Sequence, residues 1–185
     1  MKKNLFVLLI CTLLSVSCAK DNEPNPFLIE KHHIGLLNDS TQVKELDAIF
    51  KNDSVVRYIS GDEFAGAVNT IEIYEKGGKK LLDISPREAL DSTSVISTVR
   101  IIDERYKTEK NISTLSTFKD IKEAYTISKV DNLINSVVVS VNEIDASFTI
   151  DKKELPGGLR YDMDAVIDPI QIPEKAKIKF FMLHW

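Results

Sequence analysis

The sequence predicts an α+β domain, a largely antiparallel sheet carrying two short helices. Three observations predict it. Runs of β-branched and apolar residues alternate with turn residues along most of the chain. Only two segments carry the spacing of an amphipathic helix. Those two segments align with each other without a gap, which points to a duplicated loop–helix–strand unit.

The first helical segment, residues 41–50, opens on Thr41 and places Val43, Leu46, Ile49 and Phe50 on one face. Strands are expected at residues 55–59 and around Val68, Ile71, Ile73 and Tyr74. Lys76-Gly77-Gly78-Lys79 then precedes the run 81–84, and a Gly-Gly pair between strand patterns predicts a hairpin. Residues 95–102 are apolar and β-branched, as a central strand is. The second helical segment, residues 116–125, opens on Ser116 and repeats the face with Phe118, Ile121, Ala124 and Tyr125. Val55 and Val130 stand at matching places beyond the two helices, each entering a strand. Residues 137–141 and 146–150 flank Asn142-Glu143-Ile144-Asp145 as a second hairpin. Pro156-Gly157-Gly158 opens a loop running through Pro169 and Pro173, and residues 176–183 form a closing strand. Chance agreement between two short amphipathic helices is the alternative to duplication, and ten aligned positions leave both readings open.

Ahead of this domain lies a different pattern. Lys2 and Lys3 precede an apolar run over residues 5–14, and Ser15, Ser17 and Cys18 follow. Charged, apolar, then small is the order of a secretory signal. A membrane-spanning helix needs roughly 20 apolar residues. Lys20, Asp21 and Glu23 arrive too early for one. Leu14-Ser15-Val16-Ser17-Cys18 resembles the lipobox of bacterial lipoproteins of the Bacteroidota type, although Ser15 stands where leucine is usual. The resemblance implies cleavage before Cys18 and lipidation, a palmitate-bearing anchor, on its sulfur. Cutting before Cys11 instead would leave too short an apolar region. Three parts are therefore expected: a signal peptide at 1–17, a lipidated tether at 18–27 and a single α+β domain at 28–185. Lys20-Asp21-Asn22-Glu23 resembles the signal that sends such lipoproteins to the cell surface. A solvated tether reads the same residues equally well. The cell surface and the periplasmic face of the outer membrane both stay open.

Composition narrows the partners. The net charge is −4, and residues 1–17 hold two lysines and no acid, so the chain from Cys18 onward carries −6. No basic stripe favours nucleic acid. Cys11 and Cys18 are the only cysteines. Once Cys18 is lipidated, no thiol is left for a disulfide, a metal or nucleophilic attack.

Ile34-Gly35-Leu36-Leu37 leading to Thr41, then Ile101-Ile102-Asp103, then a turn and helix over 108–121, then a last strand ending in Trp185, is similar to the sigma-E-regulated lipoprotein family. The resemblance spans roughly residues 34–185. Asn111 and Leu115 stand where that family tends to carry glycine. Asparagine accepts the left-handed backbone of a turn, whereas leucine is a real departure. The family has no established activity, so the resemblance implies an envelope lipoprotein and nothing catalytic.

Few residues suggest chemistry. His32 and His33 are adjacent, so on a strand they would point to opposite faces, and His184 is distant in sequence. Asp162, Asp164 and Asp168 share one loop and begin a calcium-like pattern, but the glycine and glutamate of an EF-hand loop are missing. A solvated loop is the plainer reading. No nucleophile elbow, phosphate loop or dinucleotide fingerprint occurs, and no cofactor is expected. Ser40, Ser54 and Ser92 each follow aspartate in a pattern resembling a Bacteroidota O-glycosylation acceptor; capping and turn chemistry account for such residues as well. The expected function is a non-enzymatic envelope module binding or scaffolding an envelope protein or glycan. Two alternatives are a small hydrolase using paired carboxylates and an immunity-type protective lipoprotein.

Overall fold

Alternation along the strands decides the layers. The structure is a computed structural model and describes residues 25–60 and 68–185. Its elements are β1 (Leu28–Glu30), β2 (His33–Ile34), β3 (Leu37–Asn38), a 3-10 turn at Val43–Glu45 continued by α1 (Leu46–Ile49), β4 (Ser54–Ser60), β5 (Val68–Tyr74), β6 (Lys80–Pro86) and β7 (Ile96–Ile101). Then come β8 (Lys107–Thr108), α2 (Phe118–Ala124), β9 (Lys129–Asn132), β10 (Ser136–Val141), β11 (Ala146–Asp151), α3 (Gly157–Arg160) and β12 (Ile178–His184). The expected α+β class is what the structure shows, with the eight long strands in one antiparallel sheet ordered β4-β5-β6-β7-β12-β11-β10-β9.

One face of that sheet is apolar. Ile71, Ile73, Leu82, Ile84, Val99, Ile101, Val137, Val139, Phe148, Ile150, Phe181 and Leu183 are all buried in one cluster. Val43, Leu46 and Phe50 cover it from the first helix, and Phe118, Ile121 and Tyr125 from the second. A small sheet ordered β3-β2-β1-β8 adds Ile29, Ile34 and Leu37. The other residues of each strand, among them Thr70, Glu72, Asp83, Ser85, Thr98, Arg100 and Thr149, face the opposite side. An antiparallel sheet with one packed and one wetter face alternates in this way.

The structural repeat extends beyond the ten aligned residues. Each half is a turn, a helix and a four-stranded meander, β4 to β7 and then β9 to β12. The halves meet where β7 pairs antiparallel with β12, Ile101 opposite Phe181 and Val99 opposite Leu183. Matching hydrogen bonds recur at matching residues. Asn38 N donates to Thr41 Oγ1 at 3.0 Å, and Ser113 N donates to Ser116 Oγ at 3.0 Å. Val43 N and Lys44 N donate to Ser94 O and Ser92 O at 3.0 and 2.8 Å; Phe118 N and Lys119 N donate to Ala176 O and Glu174 O, both at 2.9 Å. Gln42 bridges Val95 as Thr117 bridges Lys177. Each helix start also receives an acid three residues on, Gln42 N donating to Glu45 and Thr117 N to Asp120, both at 2.7 Å.

The closing strand expected at residues 176–183 is β12, at the centre of the sheet between β7 and β11. Two details differ from the sequence expectation. Gly157 and Gly158, expected to open a loop, form the single turn of α3 after Pro156. The small sheet was not anticipated, because its strands are only two or three residues long. Asn111 does take the left-handed turn conformation, at φ 62°. Leu115 is exposed and keeps negative φ, so no glycine is needed there.

Candidate functional site

Cys18 and the leader lie outside the described residues. Packing is already in place at Phe27, whose ring meets Tyr106 edge-on at 5.0 Å and lies under the Arg105 guanidinium at 4.5 Å. Arg105 in turn grips Asp103, which is fully buried. Arg105 Nη2 donates to Asp103 Oδ2 at 2.8 Å, its Nε reaches both carboxylate oxygens at 3.1 Å, and its backbone N–H adds a bond of 2.8 Å. Lys79 Nζ lies 3.1 Å from the same carboxylate. Burial pushes the Asp103 pKa up, but the Arg105 and Lys79 bonds outweigh it and hold it down to about 2. This cluster ties the chain's point of entry to the end of β7. Among the described residues, no helix is long and apolar enough to cross a membrane.

Two acids do face each other. Glu72 and Asp83 are cross-strand partners on the polar face of β5 and β6. They border a shallow cavity of about 300 Å³ with Thr70, Ser85, Thr98, Arg100 and Met182. Lys80 Nζ lies 2.5 Å from Glu72 and 2.6 Å from Asp83, and Arg100 pairs with Asp83. Tyr74 adds a hydroxyl donor to Glu72 at 2.5 Å. The Lys80 and Tyr74 hydrogen bonds hold the Glu72 carboxyl below its usual range. A glycosidase-type pair needs one carboxyl raised and kept protonated as the acid. Glu72 is held the opposite way, with its oxygens committed to Lys80 and the Tyr74 phenol.

The histidines come closer than their spacing suggests. His32 sits in a turn at φ 60°, not on a strand, and shares a cavity of about 370 Å³ with Asp145, His184 and Trp185. His32 Nδ1 lies 3.3 Å from Asp39, and its Nε2 lies 3.7 Å from Asp145. His184 Nε2 is 2.7 Å from the Ser147 hydroxyl. Among the described residues, no group of three histidine or carboxylate side chains is placed to hold a metal. In the aspartate loop, Asp162 Oδ1 accepts the backbone N–H of Asp164 and of Ala165, and Asp168 Oδ1 accepts that of Ile170. Those carboxylates shape their own loop. Of the serines, Ser40 and Ser92 are exposed in turns, and Ser54 is exposed at the start of β4.

One further cavity was not visible in the sequence. A cavity of about 620 Å³ lies where β11 leaves the sheet, lined by Ile134, Asp151, Lys152, Lys153, Arg160, Tyr161, Met163 and Lys179. Lys152 is only 4% exposed. Its ammonium contacts the Met163 thioether at 3.7 Å, and no carboxylate pairs with it among the described residues. Asn132 holds the roof, its Nδ2 donating to the carbonyls of Asp162, Met163 and Ala165. A Lys-Lys dipeptide normally marks solvent, so nothing in the sequence separates Lys152 from Lys153.

No protein-family description matches the chain, and no curated protein matches it. Its fold is similar to that in the crystal structure of the uncharacterised protein yfeY from Escherichia coli. The two agree with a TM-score of 0.58 at 14% identity, over 85% of this chain and 99% of that one. At that identity the likeness shows a shared fold, one already found in a bacterial protein of unknown activity.

Proposed function

We propose that the chain is a bacterial envelope lipoprotein, anchored to the outer membrane through lipid on Cys18, whose domain works as a binding module. The leader pattern carries this reading: two lysines, an apolar run too short to span, then Ser17-Cys18. Resemblance to the sigma-E-regulated lipoprotein family supports it, and the fold shared with an uncharacterised bacterial protein fits a bacterial source. The tether is short. Nine residues lie between Cys18 and Leu28, and the ten steps from one to the other reach at most about 35 Å when extended. The module therefore works close to the lipid surface. Binding is favoured over hydrolysis because the facing acids Glu72 and Asp83 are bridged by Lys80.

Growth with labelled palmitate tests the anchor. The wild-type chain should carry label and sediment with outer membranes, and Cys18→Ala should do neither. Label on Cys18→Ala would overturn the proposal.

A further inference from the structure

We propose that the cavity around Lys152 binds a phosphate-bearing small molecule, with Lys152, Lys153 and Arg160 supplying the donors. This deepens the binding-module reading and names its ligand class; it does not depend on the lipid anchor.

The argument begins with the cost of burying a cation. A lysine with its stem covered keeps its ammonium in water or pairs it with an anion. Lys152 is 4% exposed, and its ammonium's hydrogen-bond partner among the described residues is a thioether, a weak neutral acceptor. Met163 also lines the cavity, which places the ammonium at the cavity wall.

The neighbouring charges do not neutralise it. Asp151 is the carboxylate lining the cavity, and both its oxygens are engaged: Oδ2 with Lys179 at 3.2 Å and Oδ1 with Lys153 N at 2.9 Å. Asp162 and Asp164 flank Met163 without lining the cavity. Arg160 is held in place by Nε donating to Leu155 O at 2.7 Å, which leaves its two Nη groups without an acceptor among the described residues. Asp151 and Lys179 pair with each other, which leaves three further cationic side chains lining the cavity with no carboxylate paired to them among the described residues, in a chain whose net charge is −4.

A multi-oxygen dianion suits that set. One ammonium, a guanidinium edge and a second ammonium present more donors than the two oxygens of a carboxylate engage, whereas phosphate offers three terminal oxygens. The cavity volume of about 620 Å³ exceeds phosphate alone and falls within the range of small-molecule sites. Tyr161 and Ile134 add an aromatic and an apolar wall for the rest of the molecule.

Titration calorimetry on the full-length chain in detergent tests this with glucose 6-phosphate, against glucose at matched ionic strength. The phosphate ester should bind saturably and glucose should not. Lys152→Met, which keeps the buried stem, should weaken binding at least tenfold without lowering the urea midpoint. Should that variant fail to fold, Arg160→Gln carries the test, with an expected loss of at least threefold. Equal affinity for glucose and its phosphate, or unchanged affinity in these variants, would overturn the proposal. Dihexanoyl phosphatidate identifies the source. Binding tenfold tighter than the sugar phosphate, and lost in Lys152→Met, assigns the site to a lipid headgroup; weaker binding assigns it to a soluble phosphate ester. Palmitate labelling of Cys18 is read separately, so the anchor and this site fail independently.

Discussion

Asp103 carries a buried charge that couples folding to pH. Its carboxylate is buried, yet Arg105 and Lys79 hold its pKa at about 2, against 3.8 when free. A depressed carboxylate stabilises the fold above its unfolded pKa and loses that contribution as pH falls toward the folded value. Roughly 2 kcal/mol is expected at pH 7. Urea unfolding should therefore separate wild type from Asp103→Asn by about that amount at neutral pH. The gap should close between pH 4 and pH 2; a constant gap would contradict the assignment. Gly35 is constrained by shape instead. Its φ is 58°, and a Cβ would stand 2.1 Å from Pro26 O. Gly35→Ala should cost at least about 2 kcal/mol, read by the same unfolding. Both residues fall in motifs legible in the sequence, Ile34-Gly35-Leu36-Leu37 and Ile101-Ile102-Asp103. Arg105 is a local partner, two residues from Asp103, but Pro26 and Lys79 are not legible, because they meet Gly35 and Asp103 only through the fold. Lys152 was still harder to find, since burial of one lysine in a pair leaves no local trace.

The two helices are the elements whose equivalence is easiest to test. Leu46 and Ile121 hold matching places and are both fully buried. Leu46→Ala and Ile121→Ala should each destabilise by about 2–5 kcal/mol. A large loss in one and none in the other would mean the two units pack differently. Asp120 accepts both the backbone N–H and the hydroxyl of Thr117, so Asp120→Ala should cost about 1 kcal/mol. Both helices and most long strands were legible, because periodicity is a local signal. The position of β12 was not. Its sequence reads as a strand, but its partners Val99 and Phe148 are chosen by the register of the whole sheet. Ten aligned residues likewise understated the repeat, since the meanders agree in pairing and not in sequence.

At the scale of the molecule, two similar halves share one sheet and one apolar cluster. They should unfold together. Trp185 is the single tryptophan, and its backbone N–H donates to Ser97 O beside the β7–β12 seam. Its fluorescence and the far-ultraviolet circular dichroism should therefore report coincident urea transitions; two separated transitions would mean independent halves. The proposed address belongs to this scale as well, because the anchor decides which ligands the Lys152 cavity meets. Intact mass of the protein purified from native membranes tests that address most directly. The account predicts a chain beginning at Cys18 with the added mass of a lipidated cysteine, and any glycan on Ser40, Ser54 or Ser92 would appear as further hexose increments. A chain that still begins at Met1, or one with an unmodified Cys18, would contradict it.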